Sequence, residues 1–335
     1  MSSIIKTIEY HKGETKEFLK SISFGGDLYS ILNDSFVFRG HSLSIYELKP
    51  AALRNKEILD AEKLKTNKDT KKISEFLQIH SEKMLLQDFY KKCDDAGMYV
   101  PYIKAENKEY FLNRAIENST FPDFDYWIPE ELYELAALAQ HYEVPTRLLD
   151  WSRDINVAIY FAMSDYLYKE KKIEDNDYMT IWALNGGALN KRNNDSPLKI
   201  IKPRYYSNPN LQAQRGVFTL WQVKKEEVLT SKPETPAKLN VVRNKVINSK
   251  PLDILIQNYS DEHSDRFQDK TIMYQIKLYD IKYQIPILYN YLERARITAQ
   301  YLFPGYTGVA REIKEKNYLK NRTINSKDGL ILTTK

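Results

Sequence analysis

Short runs of β-branched and aromatic residues alternate irregularly with amphipathic helical segments, and this pattern constrains the fold more than any other feature. Each run has a length typical of a strand, and the clearest are residues 35–38, 178–184, 217–221 and 271–278. The strands are too few and too irregularly placed for a doubly wound parallel sheet. We therefore expect an α+β fold, with a mixed, mostly antiparallel sheet flanked by helices.

The helical segments divide the chain into three parts. Residues 1–29 are predicted to be a helical lead-in, because apolar positions around Phe18 recur at helical spacing. Residues 30–312 are predicted to form the main domain, interrupted by a helical insertion at about 56–130. In this insertion residues 56–96 are Lys- and Glu-rich and predicted to be exposed helices, and residues 97–129 irregular or short-helical. Residues 313–335 are predicted to be a basic tail.

Composition and charge exclude several classes of protein. The chain has 335 residues, 42% of them hydrophobic, which is enough for a substantial core. A net charge of +5 is too small for this length to indicate a dedicated nucleic-acid binder. The single cysteine, Cys93, excludes an intrachain disulfide and a multi-thiolate zinc site, and it favours the reducing cytoplasm. No signal peptide or membrane-length apolar segment is visible, so no membrane contact is expected.

The motif Phe38-Arg39-Gly40-His41, at the end of the first apolar run, predicts an anion site. Guanidinium presents forked donors that match the geometry of phosphate. The glycine that follows lets the backbone approach whatever the arginine holds. The alternative interpretation is an ordinary turn after a strand.

A second group of functional side chains lies in a turn between two apolar helices. Its members are His141, Tyr142, Thr146, Arg147, Asp150, Trp151 and Ser152. Such a turn can hold side chains rigidly while leaving them accessible. A structural interpretation is equally open, in which Arg147 and Asp150 form a local ion pair. In that case His141 caps a helix and Trp151 belongs to the core.

These motifs, in this order, resemble the FRG-domain family. The matching segments are Phe38-Arg39-Gly40-His41, Tyr46-x-Leu48-x-Pro50-x-x-x-Arg54, the runs 138–142 and 145–152, Ala158-x-Tyr160-Phe161-Ala162, and the runs 213–219 and 297–308. The chain departs from the family pattern at Ala51-Ala52, where a serine is usual, and at Tyr306-Thr307, where an acidic residue is frequent. The resemblance implies a bacterial or phage-associated toxin or anti-phage effector, with an antitoxin or a phage trigger among its expected partners.

A weaker resemblance, to ADP-ribosyltransferases of the arginine-serine-glutamate type, implies a reaction. In that family an early strand ends in an aromatic-Arg-Gly step, to which Phe38-Arg39-Gly40 is similar. A Ser-Thr-Ser-like strand and an Ala-x-x-Phe-Ala helix follow, which residues 146–152 and 158–162 resemble. The third motif corresponds to Gln212-Ala213-Gln214, with glutamine where the catalytic glutamate stands. The resemblance implies a split sheet and NAD as the substrate. Its ADP-ribosyl group would pass to an unknown macromolecular acceptor, or to water, and nicotinamide would leave.

The resemblance also implies roles for individual residues. The expected catalytic set is Arg39, Thr146, Asp150, Ser152 and Gln214, and the expected substrate-binding set is Gly40, His41, Tyr46, Arg54, His141, Tyr142, Arg147 and Trp151. Arg39 is expected to hold phosphate or ribose, and Arg147 a second anionic group. Tyr142 or Trp151 is expected to stack on nicotinamide.

The assignment also needs a group that stabilises the charge formed in the reaction. Cleavage of the nicotinamide–ribose bond passes through an oxocarbenium-like state, which a nearby carboxylate stabilises. Because Gln214 carries no charge, Asp150 or Glu143 is expected to supply it.

Other functions remain open. The same cleft can serve a non-catalytic module that senses a nucleotide or a protein. An RNA-directed nuclease-like effector is a third hypothesis, with His41 and His141 as acid and base. No metal is expected, because the histidines are dispersed and have no His-x-x-x-His spacing. The chain also lacks the Gly-Lys-Ser/Thr loop of ATPases and the Gly-x-Ser-x-Gly elbow of serine hydrolases.

Overall fold

One mixed sheet lies at the centre of the computed structural model, which describes residues 4–54, 75–112, 125–168, 177–190, 196–205, 208–224, 248–267 and 270–325. Its strands are β1 (Ile5–Tyr10), β2 (Phe36–His41), β4 (Leu149–Ser152), β5 (Met179–Asn185), β6 (Leu198–Ile201), β7 (Gly216–Trp221) and β9 (Met273–Leu278). A separate ribbon pairs β3 (Tyr126–Trp127) with β8 (Val223–Lys224).

The sheet order is β1-β9-β5-β2-β4-β7-β6. Only β1 and β9 run parallel, and every other neighbouring pair is antiparallel. The expected α+β fold with a mixed, mostly antiparallel sheet is therefore confirmed.

Helices cover both faces of this sheet. They are α1 (Thr15–Ile22), α2 (Asp27–Ile31), α3 (Ala51–Arg54), α4 (Glu75–Asp95), α5 (Ala105–Leu112), α6 (Tyr133–His141), α7 (Ile155–Tyr168), α8 (Gly186–Asn190), α9 (Pro209–Ala213), α10 (Leu252–Glu262), α11 (Ser264–Phe267), α12 (Ile281–Arg294), α13 (Ala299–Leu302) and α14 (Tyr306–Asn325). None of the helices in the described ranges combines the length and the apolar character that a bilayer crossing requires.

Three apolar clusters form the core. On one face, α1, α7 and α12 pack against β2, β5 and β9, and the helices α4 and α6 pack near β7 in a second cluster. On the opposite face, α10 and α11 cover the same sheet. Strand β2 contributes to both sides, because Phe36 and Phe38 belong to the first cluster and Val37 to the third. Burial on both faces explains why this strand is a continuous apolar run.

The two ends of the chain differ from the sequence prediction. The predicted helical lead-in at 1–29 contains α1 and α2, but it begins with β1, which pairs with β9 along its whole length. The predicted tail at 313–335 is helical up to Asn325, as the end of α14. Within it Glu315 is buried and accepts a hydrogen bond from the Tyr160 hydroxyl at 2.6 Å, so α14 packs on α7. Residues 326–335 lie outside the described residues.

The predicted insertion at about 56–130 contains a helix that is not exposed. Residues 55–74 and 113–124 lie outside the described residues, and α4 lies between them. Its Glu75, Gln78 and Glu82 are buried. The Lys- and Glu-rich composition predicted a solvent-exposed surface. In the structure two of these carboxylates, Glu75 and Glu82, are instead paired with the buried Arg147, which is distant in sequence.

Candidate functional site

A cleft of about 470 Å³ opens beside the carboxyl-terminal end of β2 and brings many of the predicted site residues together. The predicted residues that line it are Arg39, Gly40, His41, Tyr46, Arg54, Asp150, Trp151, Ser152 and Gln214. They come from β2 and its following loop, α3, β4 and the end of α9. The volume is in the usual range for a small-molecule site, roughly 300–1,000 Å³.

Arg39 connects β2 to β4 through its side chain. The backbones of these strands pair only at Phe38 and Ser152. Beyond that pair, Nη1 of Arg39 donates to the carbonyl oxygen of Asp150 at 2.6 Å and lies 3.6 Å from its carboxylate Oδ2. Burial lowers the pKa of Arg39, Asp150 partly offsets this, and the guanidinium stays charged. Arg39 therefore lies within the strand, not at its end as predicted, and brings a positive charge to the cleft.

His41 is held in one neutral tautomer. Its Nε2 accepts a hydrogen bond from Nε of Arg39 at 2.9 Å, so the ring proton is on Nδ1, 3.2 Å from the carbonyl oxygen of Tyr46. Burial, reinforced by the charge of Arg39, lowers the pKa of His41 to about 3. With its only lone pair occupied, this ring is a poor proton carrier, which disfavours the nuclease hypothesis.

Gly40 is required for packing between β2 and α7. A methyl group at this position would overlap the carbonyl oxygen of Ala158 and the amide nitrogen of Ala162. The sequence prediction placed backbone and ligand in close approach here, whereas the structure places backbone and helix in close approach. Gly40 also lines the cleft, so the helix that it contacts forms one wall of the site.

Arg54 lies at the end of α3 with an exposed side chain. Two backbone contacts hold this short helix: the Ala52 amide donates to the carbonyl oxygen of Thr146, and Nε2 of Gln78 donates to the carbonyl oxygen of Ala52. The charge of Arg54 contributes to the lowered pKa of Arg39 and of His41. No acidic side chain of the described residues forms an ion pair with Arg54. Its guanidinium is thus available to an anion in the cleft.

A relay of two side chains orients Asp150. The Thr146 hydroxyl donates to Oε1 of Gln140 at 2.8 Å, and Nε2 of Gln140 lies 3.2 Å and 3.4 Å from the two carboxylate oxygens of Asp150. Thr146 itself is buried behind the cleft. Asp150 keeps 58% of its side chain exposed, so its carboxylate is accessible from the cleft. Thr146 therefore acts through Gln140, which the sequence reading did not single out.

Asp165 is a cleft residue that the sequence reading did not assign to the site. It lies on α7, is buried, and accepts a hydrogen bond from the Tyr46 hydroxyl at 2.8 Å. Burial and this carboxylate raise the pKa of Tyr46 to about 12. The signal was present in the helical spacing, because Asp165 follows Ala158 and Phe161 on the same face. Among the described residues, no three His, Cys, Asp or Glu side chains gather as a metal site requires.

Ser152 and Gln214 hold the far side of the cleft together. The Ser152 hydroxyl donates to the carbonyl oxygen of Gln214 at 2.8 Å and accepts from the Asp154 amide at 3.0 Å. Nε2 of Gln214 donates to the carbonyl oxygen of Leu302 at 3.1 Å. These contacts connect β4, α9 and α13, so both side chains have a structural role beside the cleft.

Arg147 does not join the cleft. Its guanidinium is buried between Glu75 and Glu82, and Glu82 also accepts a hydrogen bond from the Trp127 indole at 2.7 Å. Burial works to lower the pKa of Arg147, but Glu82 and Glu75 hold it above its ordinary value. The local ion pair expected between Arg147 and Asp150 is also wrong, because Asp150 instead contacts Arg39. No donor of Arg147 faces the cleft for the predicted anion contact.

Neither of the aromatic residues predicted to stack on nicotinamide has the position that stacking requires. Trp151 is only 4% exposed, and its indole nitrogen donates to the Thr219 hydroxyl at 2.9 Å, within the core. His141 and Tyr142 contact each other at the end of α6 and do not line the cleft. Phe161 and Phe303 also line the cleft, and their rings pack edge to face with centroids 6.1 Å apart.

Comparison with known proteins identifies one family. Residues 34–171 match the model of the FRG domain. The match begins just before β2 and ends just after α7, so it includes Arg39, Arg54, Asp150 and Asp165. Neither the curated proteins nor the solved structures contain a significant match to the chain. The matched segment includes the motifs from Phe38 to Ala162 noted in the sequence but not the runs 213–219 and 297–308, and the chain therefore contains an FRG domain at 34–171.

Proposed function

We propose that the cleft binds NAD and cleaves its nicotinamide–ribose bond, as an ADP-ribosyltransferase or an NAD glycohydrolase. The observation that carries this proposal is the placement of two guanidinium groups, Arg39 and Arg54, and the Asp150 carboxylate around one cleft. NAD has two adjacent phosphates, and paired guanidinium groups suit them by charge and geometry. Phe161 and Phe303 offer an apolar wall for a flat ring.

The chemistry needs a carboxylate more than a proton carrier. When the C1′–N bond breaks, its electron pair stays with nicotinamide, which leaves as a neutral molecule. The positive charge that remains on the ribose is then captured by water, or by a nucleophile of an acceptor, with loss of one proton. A fixed carboxylate beside the ribose lowers this barrier electrostatically. Asp150 is the best candidate, since Glu143 does not line the cleft and Asp165 is buried under Tyr46. Glu47 also lines the cleft but is paired with Lys49 at 3.3 Å, whereas Asp150 lies beside Arg39.

The cellular role follows from the same reaction. An enzyme that consumes NAD or modifies a host macromolecule is harmful to its own cell, which suits a toxin or an anti-phage effector held inactive until triggered. The FRG domain resemblance favours this context. A growth assay separates it from a housekeeping role: induced wild-type chain should arrest growth, and the Asp150→Asn variant should not.

The direct test measures nicotinamide released from NAD by purified protein. We expect the Asp150→Asn variant to lose activity by about 100-fold or more, because one charge in the transition state is no longer balanced. Arg54→Ala should weaken NAD binding without changing the fold. The exposed Arg204→Ala variant, which removes the same charge outside the cleft, is the matched control.

The outcomes distinguish catalysis from binding. If wild type shows a thermal shift with NAD but releases no nicotinamide, the cleft belongs to a sensing module and the enzyme proposal fails. If Asp150→Asn retains full activity, Asp150 is not the stabilising carboxylate. If NAD neither shifts the melting temperature nor is consumed, the cleft serves a different ligand.

A further inference from the structure

A second groove, of about 850 Å³, lies directly beside the cleft. Gln214 and Phe303 line the cleft, and the residues that follow them, Arg215 and Pro304, line the groove. The cleft and the groove are therefore adjacent, because on each of these two segments one residue lines the cleft and the next lines the groove. None of the residues assigned to the NAD site lines this groove.

Two arginines of the groove occupy backbone positions that favour glycine. Arg296 has φ 60° after α12, with its amide bonded to the carbonyl oxygen of Glu293 and the Ile297 amide bonded to that of Leu292. This is the Schellman arrangement, whose left-handed residue is most often glycine. Arg215 has φ 48° after α9, with its amide bonded to Gln212. Glycine would be less strained than arginine at both positions, so removing either guanidinium by substitution with glycine should cost no backbone stability.

The groove has a positive balance of charge. Among the described residues no carboxylate pairs with Arg296, whose side chain is exposed. Arg215 lies 3.3 Å from Asp154 but keeps 61% of its side chain exposed. Among the described residues that line the groove, Glu293 is the one acidic side chain, and it lies 2.8 Å from Lys316, which also lies 2.9 Å from Glu312. The groove therefore favours an anionic ligand.

The remaining lining suggests what kind of anion. Tyr301 is 46% exposed, which leaves a ring face open to stacking. The exposed amides of Gln212 and Gln300 can donate and accept hydrogen bonds with a base edge. We propose that this groove binds single-stranded nucleic acid, with phosphates on Arg215 and Arg296 and a base on Tyr301. An acidic peptide would use the guanidinium groups but has no need of the ring and the amides. The proposal does not rest on NAD chemistry in the adjoining cleft.

The test is fluorescence anisotropy of the full chain with labelled ten-nucleotide uridine RNA and thymidine DNA strands, which distinguish the two kinds of strand. We expect Arg296→Gly to weaken binding, and to lower the slope of log affinity against log salt by about 0.7, the value for one phosphate contact on a single strand. Tyr301→Leu should weaken binding roughly fivefold or more through lost stacking, at unchanged salt slope. Arg294→Ala, an exposed charge at the end of the same helix but outside the groove, should have little effect.

A stability measurement excludes simple unfolding as the cause. Because glycine suits the left-handed position, Arg296→Gly should leave the melting temperature unchanged or raise it by about 1–3 °C. Glu143→Gly is the matched control, since Glu143 has φ 64° at the end of α6 in the same arrangement but lies outside the groove. It should keep the full affinity. Three results would overturn the proposal. They are no binding by wild type, wild-type affinity in both Arg296→Gly and Tyr301→Leu, and full displacement of the bound strands by polyglutamate.

Discussion

At the residue scale, the cleft contains two arginines with different tasks. The guanidinium of Arg39 donates hydrogen bonds to the Asp150 carbonyl oxygen and to the His41 ring, and it also brings a positive charge to the cleft. Arg54 makes no such contact among the described residues and projects from a short helix. Residue identity alone could not distinguish them. The difference arises from Arg39 lying inside a strand, where its side chain replaces backbone pairing with β4.

His41 provides a pH prediction at this scale. Its folded pKa of about 3 is below its unfolded value, so the unfolded chain binds the proton first as pH falls. The stabilising contribution is complete above about pH 6.5 and is lost toward pH 3, at about 1.4 kcal/mol per pH unit. Between pH 7 and pH 5, wild type should lose about 2 kcal/mol more stability than His41→Gln, which stays neutral and keeps an acceptor for Arg39. Urea unfolding at both pH values measures the difference, and equal losses would show that His41 is not held neutral.

At the element scale, α4 is attached to the sheet by buried charge. The guanidinium of Arg147, just before β4, is enclosed by Glu75 and Glu82 of that helix. Gln78 of the same helix contacts α3, which carries Arg54. One ion network therefore positions an arginine of the cleft although none of its charged members reaches the cleft.

Arg147→Met should destabilise the protein by about 3–5 kcal/mol, because it leaves two buried carboxylates without a counter-charge. Adding Glu75→Gln and Glu82→Gln to that variant should recover more than half of the loss, since neutral amides are less costly to bury. Urea unfolding at pH 7 gives both values. A loss below about 1 kcal/mol in Arg147→Met would mean that water or other groups reach the carboxylates.

An element could be predicted when its own residues determine its structure, and could not when contacts with residues distant in sequence determine it. Strands β2, β5, β7 and β9 follow apolar runs and were predicted, because burial on both faces leaves a direct mark on the sequence. Strand β1 alternates polar and half-buried residues at the sheet edge, a weaker mark, and was missed. The burial of α4 could not be predicted, since Arg147 lies 65 residues beyond Glu82.

The candidate site was predictable to a similar degree. The convergence of Arg39, Arg54, Asp150 and Gln214 on one cleft agrees with the order of the motifs. The separation of Arg147 from them could not be read from its neighbours, because the direction of its side chain is set by α4.

At the scale of the whole molecule, the fold extends beyond the segment that defines the family. The FRG domain match at 34–171 contains only β2 and β4 of the central sheet, and these pair at a single position. Their extended ladders are formed with β5 and β7, which lie outside the match. The apolar cluster under α7 also needs β9 and α12.

A fragment of residues 34–171 should therefore fail to fold on its own. Strands without their ladder partners leave backbone groups unpaired and apolar faces exposed. We expect no cooperative thermal transition by circular dichroism, in contrast to the full chain. A sharp transition in the fragment would show that the matched segment is an independent unit and that the rest of the sheet was added to it.

The single backbone pair between β2 and β4 has a consequence for how a ligand enters. The sheet consists of one block, β1-β9-β5-β2, and a second, β4-β7-β6, each with continuous ladders. At the boundary between the two blocks, beside the cleft, the backbone pair of Phe38 and Ser152 and the hydrogen bond from Arg39 to Asp150 join β2 to β4. If the two blocks moved relative to each other, the width of the cleft would change while the ladder hydrogen bonds within each block stayed intact. Arg39, which the proposed function places against the anion, also links the two blocks, so a ligand on Arg39 would touch a residue that joins both.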